Sequence, residues 1–422
     1  MADRLRQTVD LSRSSAAPYV SVLAVGVVLA RFMQYLWPHS VLFKGQAPAI
    51  FLNFAVFAVA GVLWLRLRNR QRAKGPLAWF LIAMSVAWVT HMFLTILHGD
   101  LFNHTAWLYA PILLMLFLKP PSAKEGWVAL SSFAWALSLV LVLSRLLEIA
   151  GIMPIMYVEQ WIIDLEKSSY WLPFSGYLGL DGRWPGPFGH NGHTAMMGAL
   201  LVVIAVARLS KSSPVFFIVG VLTLLLTGGR ASVGAAVVGI VVVVVFTRSG
   251  TMGKLPTWAR ISGGLAFVAI AAIAMFAGDA GSSGRQAIWP AFFDLWKTSI
   301  WTGVGTSGIS VSGGLTERYG HAHNLYLDEL TRYGLLSFIC IFTALGIGLF
   351  IVIRSAMRGL PGPLAIVAAY VVMCLTEPRN DWIHPSVTGF LVILSVVIAG
   401  SWPNRNQQIE SAVFAQELKS NS

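Results

Sequence analysis

Residues 321–350 read HAHNLYLDELTRYGLLSFICIFTALGIGLF. From Gly334 onward the run is apolar enough for the interior of a membrane. The part before it carries His321, His323, Asn324, Asp328 and Glu329. Ionisable groups joined to a membrane-grade segment are costly, and chemistry is the usual reason for keeping them. The stretch therefore indicates both a polytopic membrane protein and the edge of its reactive site.

The rest of the chain has the same character. Of its 422 residues 56% are hydrophobic and 11% charged, with a mean hydropathy of +0.70. Soluble domains carry about 25% charged residues, so a soluble globule is excluded. The expected fold is all-α, a single integral membrane domain over residues 1–422. The first 17 residues are polar and basic and do not read as a cleavable signal peptide. The net charge of +12 does not imply a nucleic-acid partner, because most basic residues fall in short loops of the kind that face the cytoplasm. Cys340 and Cys374 both lie in apolar runs, which supports neither a disulfide framework nor a thiolate metal site.

A spanning helix needs about 20 mostly apolar residues. Apolar runs occur at 18–37, 48–65, 77–97, 104–118, 127–147, 193–208, 214–228, 231–247, 262–278, 334–353, 363–376 and 386–401, about twelve transmembrane helices in all. Arg4, Arg6 and Arg13, the cluster Arg66–Lys74, then Lys119, Lys124, Arg208, Lys211, Arg248, Lys254, Arg260, Arg354, Arg358 and Arg405 then share one face. Lysine and arginine in short loops mark the cytoplasmic side, so both termini are expected inside. The opposite face receives two long loops, 148–192 and 279–333. Loops longer than about 12–15 residues are usually functional or disordered. These two carry aromatics and histidines, and they are expected to cap the active site. Residues 156–167, with Trp161, suit a short interfacial helix. Arg31 falls inside the first span with no evident role.

Four constellations collect on that outer face. Arg183 precedes the turn Gly186-Pro-Phe188, and Asn191 stands where it would cap the next helix. Arg230 sits in the tight turn 227–231 between two apolar helices, where a guanidinium offers phosphate two parallel hydrogen bonds. Arg285 and Trp289 open a short amphipathic helix that leads to Gly303-Val-Gly305, a flexible or close-approach turn. Arg318 precedes His321 and His323; an imidazole takes a proton near neutral pH, and Asp328 and Glu329 are near enough in sequence to orient it. His190, His193, His321 and His323 lack the spacing of a zinc site, and no phosphate-binding Walker motif is present. Arg145 and Glu148 suit an i,i+3 ion pair.

In this order the four stretches resemble the bacterial O-antigen ligase family and its relatives, the O-antigen polymerases and certain protein oligosaccharyltransferases. The most specific likeness is His323-Asn324, nine residues, then Gly334. The Arg230 turn, the Arg285/Trp289 to Gly303-Val-Gly305 segment, and Arg183 with Phe188 and Asn191 extend it over about residues 180–380. Ser337 departs from the family pattern, which has Gly, Thr or Tyr there. The resemblance implies a GT-C-type glycosyltransferase core in the inner membrane, with a periplasmic site and no metal or other cofactor. It also implies a glycan donor on undecaprenyl diphosphate and a lipid A–core acceptor. His323, Arg230 and Arg285 would be catalytic. Arg183, Arg318, His321, Asn324, Glu329 and Asn191 would bind substrate or support those three. A polymerase, a protein oligosaccharyltransferase and, in another class, a transporter of polyprenyl-linked glycans remain alternatives.

Overall fold

The computed structural model describes residues 15–36, 47–67, 71–100, 108–150, 184, 186–188, 191–208, 211–247, 285–375 and 387–402. These form fourteen α-helices and one 3-10 turn: α1 Ala17–Leu36, α2 Ala47–Leu65, α3 Gly75–Leu97, α4 Tyr109–Leu118, α5 Ala123–Ile149, the turn Gly186–Phe188, α6 Asn191–Arg208, α7 Ser213–Thr227, α8 Arg230–Phe246, α9 Arg285–Lys297, α10 Gly305–Ser310, α11 Gly314–Tyr319, α12 Leu325–Met357, α13 Gly362–Cys374 and α14 Val387–Gly400. No strand occurs among the described residues. Eleven of the twelve predicted spans coincide with apolar helices; the twelfth, 262–278, lies outside the described residues, as does the predicted interfacial helix 156–167. By length and composition α3, α5 and α12 are able to cross a membrane, and eight shorter apolar helices accompany them. The predicted 104–118 span is represented by the ten residues of α4.

On the lysine-rich side, side chains close the starts of α1 and α5 and the end of α2, where hydrocarbon would offer backbone polar groups no partner. Ser122 and Glu125 form a capping box at the start of α5. The second oxygen of Glu125 accepts from the Ala16 backbone N–H at 2.6 Å and from Ser15 Oγ at 3.0 Å. One carboxylate thus closes the starts of both α1 and α5. Lys119 Nζ donates to the carbonyls of Trp64, in the last turn of α2, and Leu67, just past it, and stands 4.1 Å over the Trp64 ring.

Small residues set the helix spacing. A Cβ on Gly198 would lie 2.9 Å from the Gly220 carbonyl oxygen, and one on Gly220 would lie 2.7 Å from that of Gly198, so α6 and α7 meet backbone to backbone. A Cβ on Gly229 would strike Ala195; one on Gly239 would strike Val203 and approach the Ala365 carbonyl; one on Gly362 would approach Ala207. Hence α6 and α8 run parallel, and α13 runs antiparallel to both. The starts of α6 and α8 and the end of α13 share one end of the bundle. Large apolar side chains such as Phe51, Trp79, Phe93, Leu139, Phe217 and Ile339 are exposed along the helix flanks. That is the surface expected of a body solvated by lipid.

Candidate active site

The helix that follows the HAHN stretch is broken. Within α12, Gly334 has φ 67° and ψ −171°, so the segment 325–333 is a separate short helix ahead of the long apolar one. The break is filled by the loop between α9 and α10. Leu335 N–H donates to the Ile300 carbonyl at 2.8 Å, Leu336 N–H to that of Trp301 at 3.2 Å, and Val304 N–H to that of Thr331 at 2.9 Å. These replace the i→i−4 bonds that an unbroken helix would make there. Residues 300–304 are thereby threaded through the backbone of α12, and α9–α11 become one body with the 325–333 helix. Ile288, Phe292, Ile309 and Ala322 form its small apolar core.

Asn324 is the N-cap of α12. Its Oδ1 accepts from Tyr326 N at 3.0 Å and Leu327 N at 3.1 Å, and Nδ2 donates to the Leu375 carbonyl at 3.3 Å. Tyr326 adds a hydroxyl bond to the Val371 carbonyl at 3.1 Å. The turn is therefore moored to the end of α13, at the bundle end where α6 and α8 begin. Ala322 points inward and is fully buried, and its flanking imidazoles, His321 and His323, stand edge to face with ring centres 4.0 Å apart. His323 has φ 49°, a left-handed conformation uncommon for any residue but glycine. Such strain clusters at working sites, where the surroundings enforce it.

Three neighbours enforce it here. The Ala322 N–H donates to Asp328 Oδ1 at 3.1 Å, and its carbonyl accepts from Trp289 Nε1 on α9 at 3.0 Å. Arg332 donates from Nε to Asp328 Oδ2 at 2.8 Å, from one terminal nitrogen to Thr306 Oγ1 at 2.9 Å, and from the other to the Gly320 carbonyl at 2.5 Å.

Glu329 faces the opposite way, into the bundle. It is 2% exposed, accepts from Ser337 Oγ at 2.5 Å, and lies 3.7 Å from His91 Nδ1 on α3. The His91 ring packs against Tyr333 at 4.0 Å. Just past the end of α3, Asp100 accepts from the Thr306 and Ser307 backbone N–H groups at the start of α10, and His98 Nε2 pairs with the Thr302 carbonyl at 2.8 Å. On the other flank, buried Glu148 pairs with Arg145 at 3.4 Å, as the spacing predicts, and accepts from Trp184 Nε1 at 2.6 Å. Trp184 N–H donates to the Leu226 carbonyl, so the segment preceding α6 is fastened to α5 and α7.

The sequence-predicted site residues distribute as follows. His321, His323, Asn324 and Glu329 lie on one turn and the helix it opens. Arg230 and Asn191 are the first residues of α8 and α6, Arg285 is the first of α9, one turn before Ile288 in the cap core, and Arg318 is in α11; these four are located by their backbone alone. Arg183 lies outside the described residues. The starts of α6, α8 and α9 and the His323 turn all belong to the same end of the molecule. Arg332 and His91 went unnoticed in the sequence. Arg332 had a detectable signal, its i,i+4 spacing from Asp328; His91, alone in an apolar run, had none. No cluster of three metal-ligating side chains occurs among the described residues.

A body of apolar helices, three of them long and apolar enough to cross a membrane, with an ionisable cap at one end, defines a multi-pass membrane protein. Residues 196–342, about a third of the chain, match the O-antigen ligase family model, and this supports the family resemblance carried by the motifs. The matched region contains Arg230, Arg285, Arg318, His321, His323, Asn324 and Glu329. The family is of the glycosyltransferase-related ligase and polymerase type, which acts on lipid-linked glycans. No curated protein matches the chain.

Proposed function

We propose that this protein transfers an O-antigen glycan from undecaprenyl diphosphate to a sugar hydroxyl of lipid A–core, at the periplasmic face of the inner membrane. A lipid diphosphate is already an activated leaving group, so no nucleotide is needed outside the cell. The reaction needs a base for the acceptor hydroxyl and positive charge for the departing diphosphate. His323 is the base. Arg230 and Arg285 bind the diphosphate and offset charge as the bond to the anomeric carbon breaks. The acceptor oxygen attacks from the opposite face, its proton passes to His323, and the anomeric centre inverts. Arg183 and Arg318 assist at the diphosphate or bind core phosphates. His321, Asn324, Glu329 and Asn191 support the reacting groups. The chemistry draws on guanidinium charge and no metal. The fold is a GT-C-type core of about twelve spans, capped by loops 148–192 and 279–333, with both termini cytoplasmic.

The observation that carries this reading is the left-handed His323 turn, moored to the end of the bundle where Arg230 begins α8. The test is a transfer assay with purified protein, lipid-linked glycan and three acceptors: lipid A–core, a protein, and a second lipid-linked glycan. A new glycosidic bond on lipid A–core supports the ligase. Bond formation only on the lipid-linked glycan or on protein gives the reaction to a polymerase or an oligosaccharyltransferase. Donor movement across the bilayer without bond formation makes the protein a transporter.

A further inference from the structure

The HAH turn is held by side chains that are largely buried. Asp328 and Arg332 have side chains 5% and 13% exposed. Asp328 Oδ1 holds the Ala322 N–H, and Oδ2 holds Arg332 Nε. Arg332 then spans the Gly320 carbonyl on one side of the turn and Thr306 of α10 on the other. Thr306 is itself anchored, its backbone N–H donating to Asp100 at the end of α3 at 2.8 Å. The result is a continuous polar path from α3, through α10, to the peptide that precedes His323.

We infer that Asp328 and Arg332 are positioning residues for the reaction: their ion pair clasps residues 320–322 and fixes the left-handed His323 backbone, and so the direction of its imidazole. The inference rests on His323 being the base. All three guanidinium nitrogens of Arg332 donate, each to a different place, in a planar fork that lysine does not reproduce. An arginine serving only to neutralise Asp328 would not need the Gly320 carbonyl. A clasp acts on a turnover step and not on affinity, since a misplacement of about 1 Å at a reacting group costs on the order of 10²-fold in rate.

The experiment uses the full chain in nanodiscs, with the lipid-linked glycan donor and lipid A–core acceptor, for the wild type, Asp328→Asn, Arg332→Gln, Arg332→Lys, Thr306→Val and His323→Gln. The ¹⁵N resonances of the histidine rings are recorded in parallel, that of His323 being assigned by its loss in His323→Gln. Arg332→Gln and Arg332→Lys are expected to lower kcat on the order of 10²-fold with KM within about twofold, and to shift the His323 resonance. Thr306→Val, which removes one exposed anchor, lowers kcat severalfold in the same manner and decides the matter if the arginine variants do not fold. Wild-type kcat in Arg332→Gln and Thr306→Val, or lost kcat with an unmoved His323 resonance, overturns the clasp. Retained transfer in His323→Gln overturns the base assignment instead, and the resonance shifts still decide whether the clasp fixes the ring.

Discussion

Gly303 and Gly334 exclude side chains from the same point, approached from two segments. A Cβ on Gly334 would lie 2.5 Å from Gly303 N, and one on Gly303 would lie 2.5 Å from Tyr333 N. Both residues have positive φ, and the Gly334 dihedrals fall in a region almost restricted to glycine, costing other residues about 1–3 kcal/mol. The colliding atoms are backbone and cannot swing aside. Gly334→Ala is therefore expected to destabilise by more than that range, to release the 300–304 loop, and to abolish transfer. Gly346→Ala, where an added Cβ meets nothing within 4 Å, is expected to leave the melting temperature almost unchanged. Thermal unfolding in nanodiscs compares the two.

Ser337 completes a buried carboxylate. It is fully buried and donates to Glu329 Oε1, while Glu329 Oε2 has no hydrogen-bond partner among the described residues. Removing one of so few donors leaves a buried carboxyl oxygen unsatisfied, at about 1–3 kcal/mol. Ser337→Ala is expected to lower the melting temperature, and Ser337→Thr, which keeps the hydroxyl, to preserve it. Equal stability of the two variants would mean that the Ser337–Glu329 bond contributes nothing.

Trp184 links α5 to the turn before α6 through Glu148 and the Leu226 carbonyl. Trp184→Phe leaves the indole bond unmade. Arg183 is its neighbour in sequence, so the variant is expected to raise the donor KM severalfold while kcat changes little. Steady-state kinetics over donor concentration test this; an unchanged KM with lowered kcat would remove Arg183 from donor binding.

The apolar runs made the helices legible in advance, because burial in lipid leaves a signal of about 20 residues that few local choices obscure. The HN-x9-G spacing marked the candidate site but not the reason for that spacing. Asn324 opens a nine-residue helix and Gly334 ends it where another loop passes through, and only the folded chain brings Gly303 to that break. His91 stayed hidden, and Arg332 showed only its i,i+4 spacing from Asp328, for the same cause: their partners Gly320, Thr306 and Glu329 are chosen by tertiary packing. Ser337, a departure from the family pattern, proved to be a donor matched to Glu329.

The decisive step of the proposed reaction is transfer of the acceptor hydroxyl's proton to the imidazole of His323. It is tested by single-turnover transfer with reconstituted wild type and His323→Ala, both treated with EDTA and matched for thermal stability. A positioned base contributes about 10²–10⁴-fold. Wild type is expected to form the product with inverted anomeric configuration, and His323→Ala to be slower by at least about 10²-fold with donor binding retained. A rate for His323→Ala within a few-fold of wild type, or a product of retained configuration, would rule out His323 as the base of an inverting transfer.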